Sequence, residues 1–215
     1  MLFKKKLKKD LTRNLPSSRL VDMKIVDTKN KILDVAQDLI QRLGVNAMSY
    51  HHISEAVGIR KASIHHHFPT KEDLLIEVLK RYQVGFTKIV DQIVNSDLSP
   101  STKLRRYMEL FEATLQEGNH DKACLCGMLG AELTTIGSSS AELVKRFYKE
   151  NEDKLVKILK QGVEQGAFKI PGNIKSTAKM IFSFLEGGLL IVRAQGNLKQ
   201  FRGMMNQCLK LLGAV

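Results

Sequence analysis

The sequence predicts an all-α fold, with a small N-terminal head of three helices carrying a helix-turn-helix and a larger helical core behind it. Three observations carry this. From Asp27 onward, apolar residues recur at helical spacing, and no stretch alternates with the period of two of a half-buried strand. Residues 49–68, SYHHISEAVGIRKASIHHHF, read as a short helix, a Gly-containing turn and a second short helix. Near residue 70 the pattern changes from three short helices to six that could bundle.

Each element has a local reason. Thr28 can cap a first helix over Lys31 that puts Ile32, Ala36, Leu39 and Ile40 on one face, and Gly44 stops it. Pro16, Ser17 and Ser18 should break any earlier helix. Ser49 can cap a second helix reaching Val57, Gly58 ends it, and Arg60 to His67 form a third. Thr70 can cap a long fourth helix with a stripe from Leu74 through Val78, Tyr82 and Phe86 to Ile89 and Ile93. Further helices are expected over 101–117, 125–133 and 141–165, the last with Leu143, Phe147, Leu155, Ile158 and Val163 inward after a cap region at Ser138–Ser140. The final two cover 173–194 and 198–212.

Composition narrows the function classes. The chain has 215 residues, 34 Lys and Arg against 22 Asp and Glu, and a net charge of +12, which permits an anionic partner. Residues 1–26 hold eight Lys or Arg and two Asp, a net +6. Three readings of this extension stay open: an arm on DNA phosphates, a disordered solubilising tail, or a product of start-site choice, since Met23 could begin a shorter chain. Cysteines at 124, 126 and 208 make a poor disulfide framework and point to a reducing, cytoplasmic setting. The longest apolar stretch, near 180–192, contains Glu186 and is too short for a membrane span. No GxGxxG, GxSxG, GKS/T or HExxH motif suggests an enzyme or a cofactor. His51, His52, His65, His66 and His67 are adjacent on helices and diverge by about 100° each, so no metal is expected.

Within the head, Ile53, Ala56, Ile59 and Ile64 have the spacing to pack the two short helices on the first, leaving Arg60, Lys61, Ser63 and His65 outward. Residues 27–76 carry six basic and six acidic groups, so any DNA affinity there must come from placement. The stretch from Gly58 through His67-Phe68-Pro69-Thr70-Lys71 to Leu75 closely resembles the recognition-helix signature of the tetracycline-repressor (TetR) family, and Ala36, Leu39, Gly44, Ser49, Ile53 and Ala56 fall where that pattern has them. The resemblance covers about residues 28–76. It implies a homodimeric regulator, usually a repressor, that binds a palindromic double-stranded DNA operator and is released by a small-molecule inducer. The implied division is a basic extension at 1–26, a DNA-binding domain at 27–72 and a regulatory and dimerisation domain at 73–215. Ser49 takes the family's place for a hydroxyl facing phosphate, Arg60 and Lys61 open the recognition helix, and Ala62 and Ser63 fill its base-facing region. His65 stands where the family usually has Tyr, His66 where Tyr is sometimes found, and Lys71 is its basic residue on phosphate.

The core offers a second informative segment. Residues 123–133, ACLCGMLGAEL, form a short helix rich in Gly and Ala that leaves room beside it. They look like the helix of a TetR subgroup with Gly-Cys-Leu followed by Ala-Glu, some members of which respond to electrophiles. Cys124 at a helix N-terminus would have a lowered pKa, which makes an electrophile-sensing thiol the alternative to a buried structural one. Pocket candidates are Tyr82 and Phe86, then Met108 and Phe111, then Cys124 and Met128, then Phe147, and finally Phe182, Phe184 and Glu186. They are largely apolar, which favours a small apolar or aromatic inducer. Gly187 and Gly188 are expected at a close helix crossing between two chains, with Met204, Met205, Leu209 and Leu212 on the final helix of the same bundle. A general nucleic-acid or membrane-surface binder without operator specificity is the reading from another class.

Overall fold

Helix α1 (Ser17–Leu43) buries Ile32, Ala36 and Ile40 completely along one face. It ends at Gly44, whose φ of +85° needs a residue without Cβ. The computed structural model describes the backbone of residues 17–117, 119 and 121–213, and side chains from residue 27 on. Most of the basic extension and all of its side chains lie outside the described residues, and with them the readings made of it. α1 opens well before Thr28, which sits inside the helix instead of capping it. No Gly or Pro lies between Ser17 and Leu43 to halt propagation.

Three more helices complete the head and its exit: α2 (Tyr50–Val57), α3 (Lys61–His67) and the long α4 (Lys71–Val94). The core adds α5 (Pro100–Glu117), α6 (Leu125–Ala131), α7 (Ser138–Glu164), α8 (Ile174–Gln195) and α9 (Leu198–Leu211). Among the described residues there is no strand, and no helix is long and apolar enough to cross a membrane. α7 runs through the middle, packed on α4, α5, α6 and α8. Phe147, Leu155, Ile158 and Leu159 form its buried stripe, joined by Val144, whereas Val163 is 40 % exposed. On α4 the stripe likewise passes through Val90, and Ile89 faces outward.

Polar groups tie the layers at fixed points. Buried Lys103 on α5 donates to Val94 O at 3.0 Å and Gln161 Oε1 at 2.9 Å, joining the ends of α4, α5 and α7. Tyr107 donates to Asn151 Oδ1 at 3.0 Å across the core. Gly162 has no room for a Cβ because the Phe168 ring lies on it. Ser138–Ser140 are the first turn of α7, not its cap. The cap comes from Glu72 on α4, whose carboxylate accepts from Gly137 N at 3.2 Å and Ser140 N at 3.1 Å.

Candidate nucleic-acid interface and ligand core

Ser49 is the N-cap of α2, with extended backbone and its Oγ accepting from His52 N at 3.4 Å. Gly58 ends α2 at φ +74°, and the N–H groups of Gly58 and Ile59 both donate to Ser54 O, at 2.9 and 3.1 Å. This reversal aims α3. Ile53 and Ile64 are fully buried, which sets how α2 and α3 are rotated about their axes. Lys61, Ala62, Ser63, His65 and His66 are thereby exposed on α3. Arg60 is exposed as well, but it is the N-cap in extended backbone and does not open the helix. Ala56, expected between helices, faces outward; Val57, one turn on from Ile53, packs on the core instead.

The α3–α4 junction is closely held. The Tyr50 hydroxyl lies 2.9 Å from Phe68 O and 2.6 Å from Thr70 O, sharing its proton between them. Its ring meets His65 edge-on at 4.8 Å, and His65 Nδ1 is 3.2 Å from Pro69 O. Thr70 and Asp73 form a capping box, with Thr70 Oγ1 accepting from Asp73 N at 3.1 Å and Asp73 Oδ2 accepting from Thr70 N at 3.0 Å. Lys71 follows, half-buried. Burial draws its pKa down and the Glu132 carboxylate works the other way. Among the described residues no three His, Cys, Asp or Glu side chains converge as a metal site requires.

In the core, Tyr82, Phe86, Phe111, Phe147 and Phe182 form one aromatic cluster, with neighbouring ring centroids 5.3–6.5 Å apart. Met108 is buried beside α5's other core residues, and Met128 Sδ accepts from Arg193 at 3.3 Å. Cys124 Sγ is 3.6 Å from the Tyr82 hydroxyl. It caps α6, yet burial and the Glu186 charge push its thiol well above the ordinary value, opposite to the lowering expected of a helix N-terminus. Phe184 stands apart from the cluster, in a groove on the outer side of α8 and α9. Tyr148 joins the site without having been singled out; its hydroxyl donates to Cys126 O at 2.6 Å, and its ring lies 5.7 Å from that of Phe182.

Helix α6 is also the link to the head. Gln41 on α1 and Ala123 exchange two hydrogen bonds, Ala123 N to Gln41 O at 3.1 Å and Gln41 Nε2 to Ala123 O at 3.0 Å. Lys122 pairs with Asp38 at 2.7 Å. At the other end of α6, Glu132 accepts from Val45 N at 2.6 Å and Asn46 N at 3.0 Å, in the turn leading to α2. Glu132 was invisible to sequence reasoning as a link, because its partners lie 87 and 86 residues upstream.

The family model described as "Bacterial regulatory proteins, tetR family" matches residues 32–78. Over nearly the whole chain, a TetR transcriptional regulator from Legionella pneumophila superposes with a TM-score of 0.73 at 31% identity, covering 82% of this chain and 94% of that one. The chain belongs to the TetR family. A TetR-family regulator from Agrobacterium tumefaciens is similar at 29% identity and TM-score 0.80, covering 85% of this chain and 98% of that one. The HTH-type transcriptional repressor KstR2 of Mycolicibacterium smegmatis is 28% identical over 142 residues, 66% of this chain and 67% of the relative. As a TetR protein it is a transcriptional regulator that acts by binding DNA, not by catalysis.

The TetR core also carries an outward apolar face. Met180, Phe184, Gly187 and Ile191 follow one another at helical spacing on α8, with Met180 58 % exposed. Met204 and Leu211 extend this face on α9, Leu211 being 72 % exposed. The residues expected at a dimer contact divide between two environments. Gly187 has open space where a Cβ would stand and Met204 lines the outer groove, as does the edge of Leu212. Gly188 instead lies under Phe201 of α9, where a Cβ would come within 3.1 Å, and Met205 and Leu209 are buried in the chain's own core.

Proposed function

We propose that this TetR regulator is a homodimeric repressor that binds a palindromic operator and is released by a small apolar or aromatic inducer held in the aromatic core. The head, 27–72, supplies the DNA contacts, and 73–215 supplies the ligand site and the dimer. Lys61, Ala62, Ser63, His65 and His66 read or approach the bases, with Arg60 at the edge of α3. Ser49 keeps its O–H proton for a phosphate while its lone pair caps α2, and Lys71 adds positive charge at the start of α4. The observation that carries the reading is α6. It touches the aromatic core on one side, and through Ala123 and Glu132 it holds α1 and the turn before α2. A ligand that displaces α6 therefore moves the head. The outward face of α8 and α9 supports pairing of two chains through a four-helix contact.

Selection from random duplexes tests this. An enriched palindrome whose binding is lost on adding an inducer supports the repressor. Binding to all duplexes alike, or to anionic vesicles, points to a general polyanion binder and overturns it.

A further inference from the structure

Glu186, on α8, is an acid set deep among helices without a counter-charge. Its Oε1 is buried and has no hydrogen-bond partner. Its other oxygen leans on α6 where Gly127 leaves space, since a Cβ there would overlap the carboxylate. The titratable groups that face it are Tyr82 from α4, Tyr107 from α5, Cys124 and Cys126 from the start of α6, and Tyr148 from α7. All are neutral; burial raises the pKa of each, and the Glu186 charge adds to it. Arg193, two turns along α8, is turned to Met128 Sδ and Arg42 O instead.

Tyr82, Gly127, Tyr148 and Glu186 are partly rather than fully buried, unlike the Phe147 and Leu185 beside them. Gly130 lets the Tyr148 hydroxyl come close to α6, because a Cβ there would overlap it. A buried carboxylate facing only neutral donors is costly, and a ligand that brings a positive charge removes that cost. The surrounding rings favour the same sign, since an aromatic face attracts a cation.

We propose that Glu186 is the recognition group for a cationic ligand, a small ammonium on an apolar or aromatic body, seated among Tyr82, Tyr148 and Phe182. This rests on the reading of the core as the ligand site and adds the charge of what it takes. The carboxylate meets the ammonium, and the aromatic cluster takes the apolar body.

The test uses two probes of the same shape on the full chain: benzyltrimethylammonium and its uncharged carbon isostere, neopentylbenzene. Neither titrates. Binding is read by calorimetry and by thermal melting, for the wild type and Glu186→Gln. The expected result is that the cation binds the wild type, loses about 10-fold or more in affinity in E186Q, and weakens several-fold in the wild type as the pH falls from 8 to 6. The isostere should show neither effect. The pH arm needs no variant, so a misfolded E186Q would not rescue or sink the idea. Equal binding of both probes, unmoved by pH and by E186Q, overturns the charge reading and leaves the core as a ligand site. If neither probe binds the wild type, the core fails as a site for ligands of this kind and the proposal falls with it.

Discussion

Glu132, just past the end of α6, accepts a hydrogen bond from the backbone N–H of Val45 at 2.6 Å. A core helix thereby grips the turn between α1 and α2, inside the N-terminal head. Gly44 shows how close the grip is, since a Cβ there would stand 2.8 Å from a Glu132 oxygen.

Replacing Glu132 with Ala should uncouple ligand from operator. Losing the acceptor for two backbone N–H groups should lower stability by about 1–3 kcal/mol in urea unfolding. Inducer binding should survive, while the fall in operator affinity on adding inducer should shrink. Retention of full release in the variant would remove Glu132 from the coupling.

The head makes a second prediction. Lys71→Ala should weaken every duplex by a similar factor, roughly 3- to 10-fold, and reduce the salt dependence of binding. Changes at Lys61 or Ser63 should alter which half-site is enriched, with discrimination shifting by about 1–3 kcal/mol. A Lys71 variant that changes sequence preference would contradict its assignment to phosphate.

Assembly should depend on the outward face. Met180→Glu with Leu211→Glu should give a folded monomer in sedimentation at micromolar concentration. Gly188→Leu should behave differently, because Gly188 meets Phe201 of its own chain. It should lower the melting temperature through overpacking worth about 1–3 kcal/mol.

Cys124 should react slowly. The residue is 2 % exposed, and burial together with the Glu186 charge keeps the thiol protonated. A thiol-reactive compound should modify it at the rate of unfolding, and Cys124→Ser should be released from operator by inducer as the wild type is. Rapid modification of the folded chain at one adduct per chain, with loss of operator binding in the wild type alone, would restore the thiol-sensor reading.

Stability should fall as pH rises from about 4.5 to about 7. Burial lifts Glu186 from its ordinary 4.5 to about 7, so the folded chain holds this proton more tightly than the unfolded one. The group's contribution is complete below about 4.5 and is lost as pH rises through about 7. Unfolding at pH 4 and pH 8 should show a wild-type loss of roughly 2–3 kcal/mol that E186Q lacks.

The sequence by itself determined the helical class, the helix-turn-helix and the family signature. Those properties are local: apolar spacing, a capping hydroxyl at Ser49 or Thr70, and a left-handed glycine at Gly44 or Gly58 act within a few residues. That Phe86, Phe111, Phe147 and Phe182 pack together in the core was legible for the same reason, since a stripe on each helix must face the common core. Only the tertiary structure decided which side of a helix meets which neighbour. It turned Gly188 and Met205 inward, set Phe184 in the groove between α8 and α9, exchanged Ala56 for Val57, and buried Cys124 beside an acid. It also made Glu132 and Glu72 the links between head and core, across 87 and 65 residues of chain. Such pairings depend on how whole helices dock, and a free energy shared among many packed side chains leaves no mark on the spacing of any one pair.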